Sequence, residues 1–156
     1  MGSEHDTSDQ QRFAILTSGG DAPGMNSAVR AATTLWRSRG HEVLGVQSGF
    51  TGLIEDEMRS LDVPQVDGVL REGGTILGSA RCPEFRHREG RDRARETLRD
   101  RDIDGLLVIG GNGSLAGIRS LLDPAEVDGS MPNVVGVPAS IDNDIGFTGM
   151  SIGVDT

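Results

Sequence analysis

Apolar and polar positions alternate in blocks whose period changes along the chain. FAIL at 13–16 is a short unbroken apolar run and predicts a buried strand. Beyond a glycine-rich turn, Ala28, Ala31, Ala32, Leu35 and Trp36 recur at helical spacing, and Gly40 stops that helix. HEVLGV at 41–46 resumes as a second strand. GRDRARETLRDRD at 90–102 sets Ala94 and Leu98 on one side amid charge, which predicts a surface helix with Glu/Arg pairs. IDGLLVIGG at 103–111 is apolar enough for a strand covered on both faces. SLAGIRSLL at 114–122 puts Leu115, Ile118, Leu121 and Leu122 on one helical stripe, and NVVGVPAS at 133–140 is a further strand closed by Pro138. The stretch 49–88 is rich in glycine and charge and yields no regular element.

Strand, turn, helix and strand in this succession mean βαβ units, hence an α/β fold: a mostly parallel sheet with helices on both faces, in three layers. With 156 residues, no repeat and no evident linker, one α/β domain over 12–156 is expected, preceded by a disordered polar tail at 1–11. Ligands of such sheets bind beyond the carboxyl ends of the strands. Three segments fall there: 17–26, 110–114 and 138–144.

Composition narrows the partners. The 24 acidic against 15 basic side chains give a net charge of -9, which argues against a nucleic-acid backbone as ligand. Four Phe, one Trp and no Tyr leave little with which to stack bases. The single cysteine, Cys82, excludes an internal disulfide and a multi-cysteine zinc site. No apolar run approaches a membrane span, and the first residues lack the apolar core of a secretory signal, so a cytoplasmic location is expected.

The chemistry resides in the strand-end segments. In TSGGDAPGMNS, Gly19 and Gly24 are spaced as in a phosphate loop, but Met25 and Asn26 stand where that loop has lysine and a hydroxyl. Gly19, Gly20 and Gly24 let backbone N–H groups approach an anion, or they serve only a tight turn. GGNGS repeats the design: Gly111 and Gly113 flank Asn112, and Ser114 can cap the next helix. SIDND places two carboxylates just past a strand, either as an Asx-rich turn or as a base or metal pair. The basic run SARCPEFRHREGRDRAR is a solvated face or the source of the cation that the first loop lacks. Arg81 is the candidate because it follows the glycine-rich GGTILGSA.

In order and at compatible spacing, LTSGGDAPGMN, GGTILGSARCPEFR, GGNGS, PASIDND and the final SIGVDT resemble the motifs of the phosphofructokinase family, over about 13–156. That resemblance implies phosphoryl transfer from ATP, with Mg²⁺, to the 1-hydroxyl of fructose 6-phosphate. It further implies the donor half of a two-domain subunit acting in a homo-oligomer, a dimer or tetramer, with a 156-residue piece inactive alone. By the same resemblance Gly19, Arg81, Cys82, Gly111, Asn112, Gly113 and Ser114 contact the donor. Ser140, Ile141 and Asp142 contact the substrate. Asp142 is the general base, Arg81 neutralises the transferring group, and Asn112 with Asp144 attends the metal.

Two positions of the donor and substrate motifs depart from the family pattern. Asn112 replaces the usual aspartate, which weakens metal binding, and Ser140 replaces a threonine. The pyrophosphate-using branch has Asp at position 113 and Lys at 139; Gly113 and Ala139 favour ATP. Two alternatives stay open: a pyrophosphate-dependent relative, and a non-catalytic nucleotide-binding or regulatory module of the same fold. NAD kinases and lipid kinases resemble GGNGS alone, and no G-x-G-x-x-G follows a strand as in a dehydrogenase.

Overall fold

The computed structural model describes residues 10–154. In chain order the elements are β1 (Arg12–Ser18), α1 (Met25–Ser38), β2 (Glu42–Val46), α2 (Phe50–Ile54), β3 (Met58–Ser60) and α3 (Val63–Gly68). A 3₁₀ turn (Pro83–Arg86), α4 (Arg88–Asp100), β4 (Gly105–Gly110), α5 (Asn112–Leu121) and β5 (Asn133–Pro138) follow. The strands form one sheet in the order β3-β2-β1-β4-β5. Four are parallel, with Ile15 level with Gly45 on one side and Leu107 on the other; β3 runs antiparallel to β2 at the edge.

The period-2 alternation of the strands sorts side chains into two cores. Ala14, Leu16, Leu106 and Val108 join Phe50, Leu53, Phe85 and Leu98 under α2 and α4. Ile15, Val43 and Ile109 join Met25, Val29 and Val66 under α1 and α3. Helices therefore lie on both faces, giving the three layers expected from the βαβ pattern. Phe13 stacks on Trp36 at a centroid distance of 4.4 Å and fixes the end of α1 to the start of β1.

The stretch 49–88 carries elements that the pattern did not reveal. The five-residue α2 buries Phe50, Leu53 and Ile54 without a side-chain cap. Each buried side chain contributes about 1.5–3 kcal/mol, which outweighs the ~1 kcal/mol a cap would add. Strand β3 is three residues long, too short to show a period. Helix α3 is started by a reciprocal Asp62–Gln65 capping box and buries only Val66.

Two further expectations change. Helix α4 is not simply a surface helix, because Arg95 is buried in it; its intrahelical ion pairs use Asp92 rather than a glutamate. Most of the tail expected to be disordered, 1–9, lies outside the described residues. Gln11 is tied down: its N–H donates to His41 Nδ1 at 3.2 Å and its carbonyl accepts from the Glu42 N–H at 2.9 Å.

Candidate active site

The chain leaves β1 toward β2 on one side and later returns to place β4 on the other. The order therefore reverses between β1 and β4, and in open α/β sheets a ligand crevice forms at such a point. A cleft of about 1110 Å³ lies there. Gly19, Arg81, Cys82, Gly111, Asn112, Gly113, Ser114, Ser140, Ile141, Asp142 and Asp144 all line it.

The first loop turns away from β1 at Gly19, whose φ of +89° is left-handed and suits glycine. Gly19 to Ala22 face the cleft, whereas Gly24, at the start of α1, does not line it, and a Cβ there would stand 3.0 Å from Ile152 Cγ2. Met25 is wholly buried in the core. Asn26 braces a neighbouring segment: its Oδ1 accepts from the Ile76 N–H at 2.8 Å, and its Nδ2 donates to the Glu72 carbonyl at 3.2 Å. Thr17 Oγ1 donates to the Gly78 carbonyl at 2.9 Å, and Ser79 Oγ donates to Asp21 Oδ1 at 3.1 Å. These bonds fasten the 72–79 segment to the first loop and so place Arg81 at the cleft. Among the described residues Arg81 and Arg86 form no ion pair, so both guanidinium groups are open to an anion. His87 and Arg88 belong to the start of α4 and do not line the cleft.

Gly110 ends β4, and α5 begins two residues later. No side chain caps α5 and no acid stands in its first turn, so its N–H groups and positive dipole end are presented to the cleft. Ser114 is not the cap; it is the third helical residue. Its hydroxyl is buried and has no hydrogen-bond partner, close to the Gly110 and Gly19 backbone where the two loops meet. The hydroxyls of Thr33 and Thr34 in α1 are buried without a partner as well.

One set of residues escaped the motif reading. Gly113, Ala116, Gly117 and Ser120 all line the cleft at helical spacing, so α5 turns a face of small side chains toward it. The signal is in the sequence, opposite the leucine stripe. Gly117 is required there: a Cβ would stand 2.9 Å from Phe50 Cζ. Phe50 stacks on Phe85 at 4.2 Å, and both rings form an apolar wall of the cleft. Asp21, Pro83 and Arg86 line it too.

Asp142 and Asp144 line the same cleft. Ser140 Oγ donates to Asp144 Oδ1 at 3.1 Å and accepts from the Asp142 N–H at 3.3 Å, which holds the loop in a turn of the Ser/Thr type rather than the Asx type expected. Asn112 Nδ2 donates to the Asp144 carbonyl at 3.2 Å and ties this loop to the start of α5. A carboxylate at 112 has no N–H to give. Ile152 continues the sheet by one bridge to Ala139, so the loop is held at both ends.

Among the described residues no group of three His, Cys, Asp or Glu side chains is placed to hold a metal ion, so these residues form no cage by themselves. Asp144 still suits Mg²⁺, which is commonly held by one or two carboxylates together with substrate phosphates and water. No described helix is long and apolar enough to cross a membrane.

Fold and cleft together define a doubly wound α/β protein with a crevice at its switch point lined by glycine turns, arginines and carboxylates. The chain belongs to the phosphofructokinase family, whose model, Phosphofructokinase, matches residues 12–156. It is 49% identical over 146 residues to the ATP-dependent 6-phosphofructokinase of Thermotoga neapolitana, covering 94% of this chain and 44% of that protein. The Clostridium botulinum enzyme of the same name is 47% identical over 144 residues, covering 92% and 43%. The chain thus spans less than half the length of these curated relatives. Phosphofructokinase of Pichia pastoris in the T-state superposes with a TM-score of 0.86 at 37% identity, over 93% of this chain and 18% of that one. A pyrophosphate-dependent phosphofructokinase from Marinobacter aquaeolei shares the fold, with a TM-score of 0.81 at 21% identity over 92% of this chain and 37% of that one.

Proposed function

We propose that this chain is the donor-binding half of an ATP-dependent 6-phosphofructokinase, which moves the γ-phosphoryl group of ATP to the 1-hydroxyl of fructose 6-phosphate. The observation that carries the reading is the cleft's two-part lining. Glycine backbone, an uncapped helix start and free arginines gather at one end, and a small-residue helix face with two phenylalanine rings extends beyond them. From Gly111 to Ser120 the helix rises about 14 Å, room for a nucleoside that pyrophosphate would not need.

The N–H groups of Gly19 and of the Gly111–Gly113 turn bind the phosphate chain, with Ser114 beside them. Arg81 neutralises charge on the transferring group. Asp142 takes the proton of the 1-hydroxyl as its oxygen bonds to phosphorus and the bond to the β-phosphate bridging oxygen breaks. Asp144, with the side-chain carbonyl oxygen of Asn112, would hold Mg²⁺, whose chemistry is to neutralise phosphate charge. Ser140 and Ile141 contact the sugar. The exposed side chains of Ile141, Phe147 and Met150 beside the carboxylates offer surface for the rest of the subunit or a neighbouring copy, in keeping with a homo-oligomeric cytoplasmic enzyme of glycolysis.

Asn112 in place of the family's aspartate favours a second reading, a nucleotide-binding module without catalysis. The test is a chimera that joins this chain to the remaining portion of the Thermotoga neapolitana relative. Turnover of fructose 6-phosphate with ATP, lost in Asp142→Asn, supports the enzyme. ATP binding without turnover supports the module, and turnover with pyrophosphate in preference to ATP overturns the donor assignment.

A further inference from the structure

Outside the cleft, behind its phenylalanine wall, lies a charge network that the phosphoryl chemistry does not use. Arg91 Nη1 donates to the carbonyls of Phe85 at 3.2 Å and Arg86 at 2.7 Å. Its Nε donates to Glu126 Oε2 at 2.8 Å and its Nη2 to Glu126 Oε1. Glu126 Oε2 also accepts from Arg95 Nη2 at 3.0 Å. Arg95, whose side chain is 1% exposed, donates in turn to the Leu121 and Ser120 carbonyls, both at 2.9 Å. One carboxylate therefore joins the 3₁₀ turn that carries Phe85 to the far end of α5.

Burying an arginine costs several kcal/mol unless its donors are satisfied, so apolar side chains would hold α4 against α5 more cheaply. Leu98 and Leu121 already do so. What apolar groups cannot do is grip two carbonyls of a short turn and fix its distance from a helix. Hydrogen bonds from Arg91 and then Arg95 hold the Glu126 carboxyl down to about 2, and the bond to Glu126 raises the guanidinium of Arg91, so the network stays ionised at neutral pH.

We propose that Glu126, through Arg91 and Arg95, is a positioning residue that fixes the Phe85 wall against α5 and so sets the affinity of the cleft for the nucleoside part of the donor. The proposal rests on the donor-site reading above. The wall touches the region beyond the phosphates, while Gly19 and the Gly111–Gly113 turn are fixed independently by β1 and β4. Loosening the clamp therefore weakens a nucleotide more than a bare polyphosphate, which loses only the placement of Arg86.

Calorimetric titration of this chain with ATP and with inorganic tripolyphosphate, each with Mg²⁺, separates the two. Arg91→Lys keeps a positive charge beside Glu126 and leaves Arg95 paired, so the fold is retained. It should raise the ATP Kd about tenfold and that of tripolyphosphate by no more than about threefold. Glu126→Gln should show the same split. Arg101→Gln breaks a bidentate pair with Asp56 away from the cleft and should move neither. Equal weakening of both probes, or of neither, in Arg91→Lys and Glu126→Gln overturns the clamp while leaving the donor site standing. A wild-type chain that binds tripolyphosphate as tightly as ATP, or neither, removes the donor-site reading and the clamp with it.

Discussion

Replacing Gly113 with aspartate should move stability and nucleotide binding in opposite directions. Gly113 is the second residue of α5 and its φ is not left-handed. A Cβ built there meets nothing within 4 Å, so a side chain costs no packing. Exchanging glycine for aspartate in a helix gains a few tenths of a kcal/mol in propensity. A carboxylate in the first turn of an uncapped helix adds about 0.3–1 kcal/mol through the dipole. The ligand-free chain should then melt about 2–4 °C higher. Binding answers to the same charge with the opposite sign, because Gly113 lines the cleft at the turn assigned to the phosphates. Two like charges about 5 Å apart repel by about 3 kcal/mol at an effective dielectric of ~20, and by about 1 kcal/mol in nearly bulk water. ATP should therefore bind roughly 5- to 150-fold more weakly to Gly113→Asp. Gly113→Ala keeps the gain in stability without the charge, and its ATP affinity should stay within about threefold of wild type. Scanning fluorimetry without ligand and calorimetry with ATP measure the two halves. Unchanged ATP affinity in Gly113→Asp would show that the phosphates lie elsewhere, and a lower melting temperature would refute the stabilising role given to the helix dipole.

Other outcomes follow from the same geometry. Asp142→Asn in the chimera should cut turnover by about 10²–10⁴-fold while ATP affinity holds, and kinetics paired with calorimetry would expose a merely structural role. Asn112→Asp adds a carboxylate beside Asp144 and removes the bond to the Asp144 carbonyl; a Mg²⁺ titration of ATP binding should show half-saturation at lower metal concentration than in wild type. The Glu126 carboxyl sits near 2 in the fold against the usual 4.5, so its contribution is complete above about pH 5 and fades as pH falls from 4.5 toward 2. Denaturant melts should place wild type above Glu126→Gln at pH 6, with the gap closing toward pH 2; a gap independent of pH would refute that assignment.

The layers and the parallel strands were legible because long apolar runs and helical stripes report burial directly. Elements whose stability is tertiary were not. Helix α2 exists because Phe50, Leu53 and Ile54 find a core, and β3 because β2 offers an edge to its three residues. Neither is long enough to show a period. Ser114 reads as a cap because serine before an apolar stripe commonly is one. The helix begins earlier, at Asn112, and the hydroxyl turns inward to the meeting point of two loops.

The cleft itself was half legible. Glycine-rich and carboxylate motifs mark strand ends, and strand ends of a doubly wound sheet converge. The wall opposite is made of positions that look unremarkable one at a time. Glycine and alanine at 113, 116 and 117 read as weak helix residues until the leucine stripe on the other side shows which way they face. Phe50 and Phe85 are 35 positions apart and meet only through the sheet. Arg95 carries no signal of its own, since its environment is assembled from carbonyls of α5 and a carboxylate 31 residues downstream. Motifs thus disclosed the groups assigned to the phosphates, a chemistry that demands particular residues at particular spacings. The groups that shape the remainder of the cleft act through volume and position, and those properties arise only once the chain has folded.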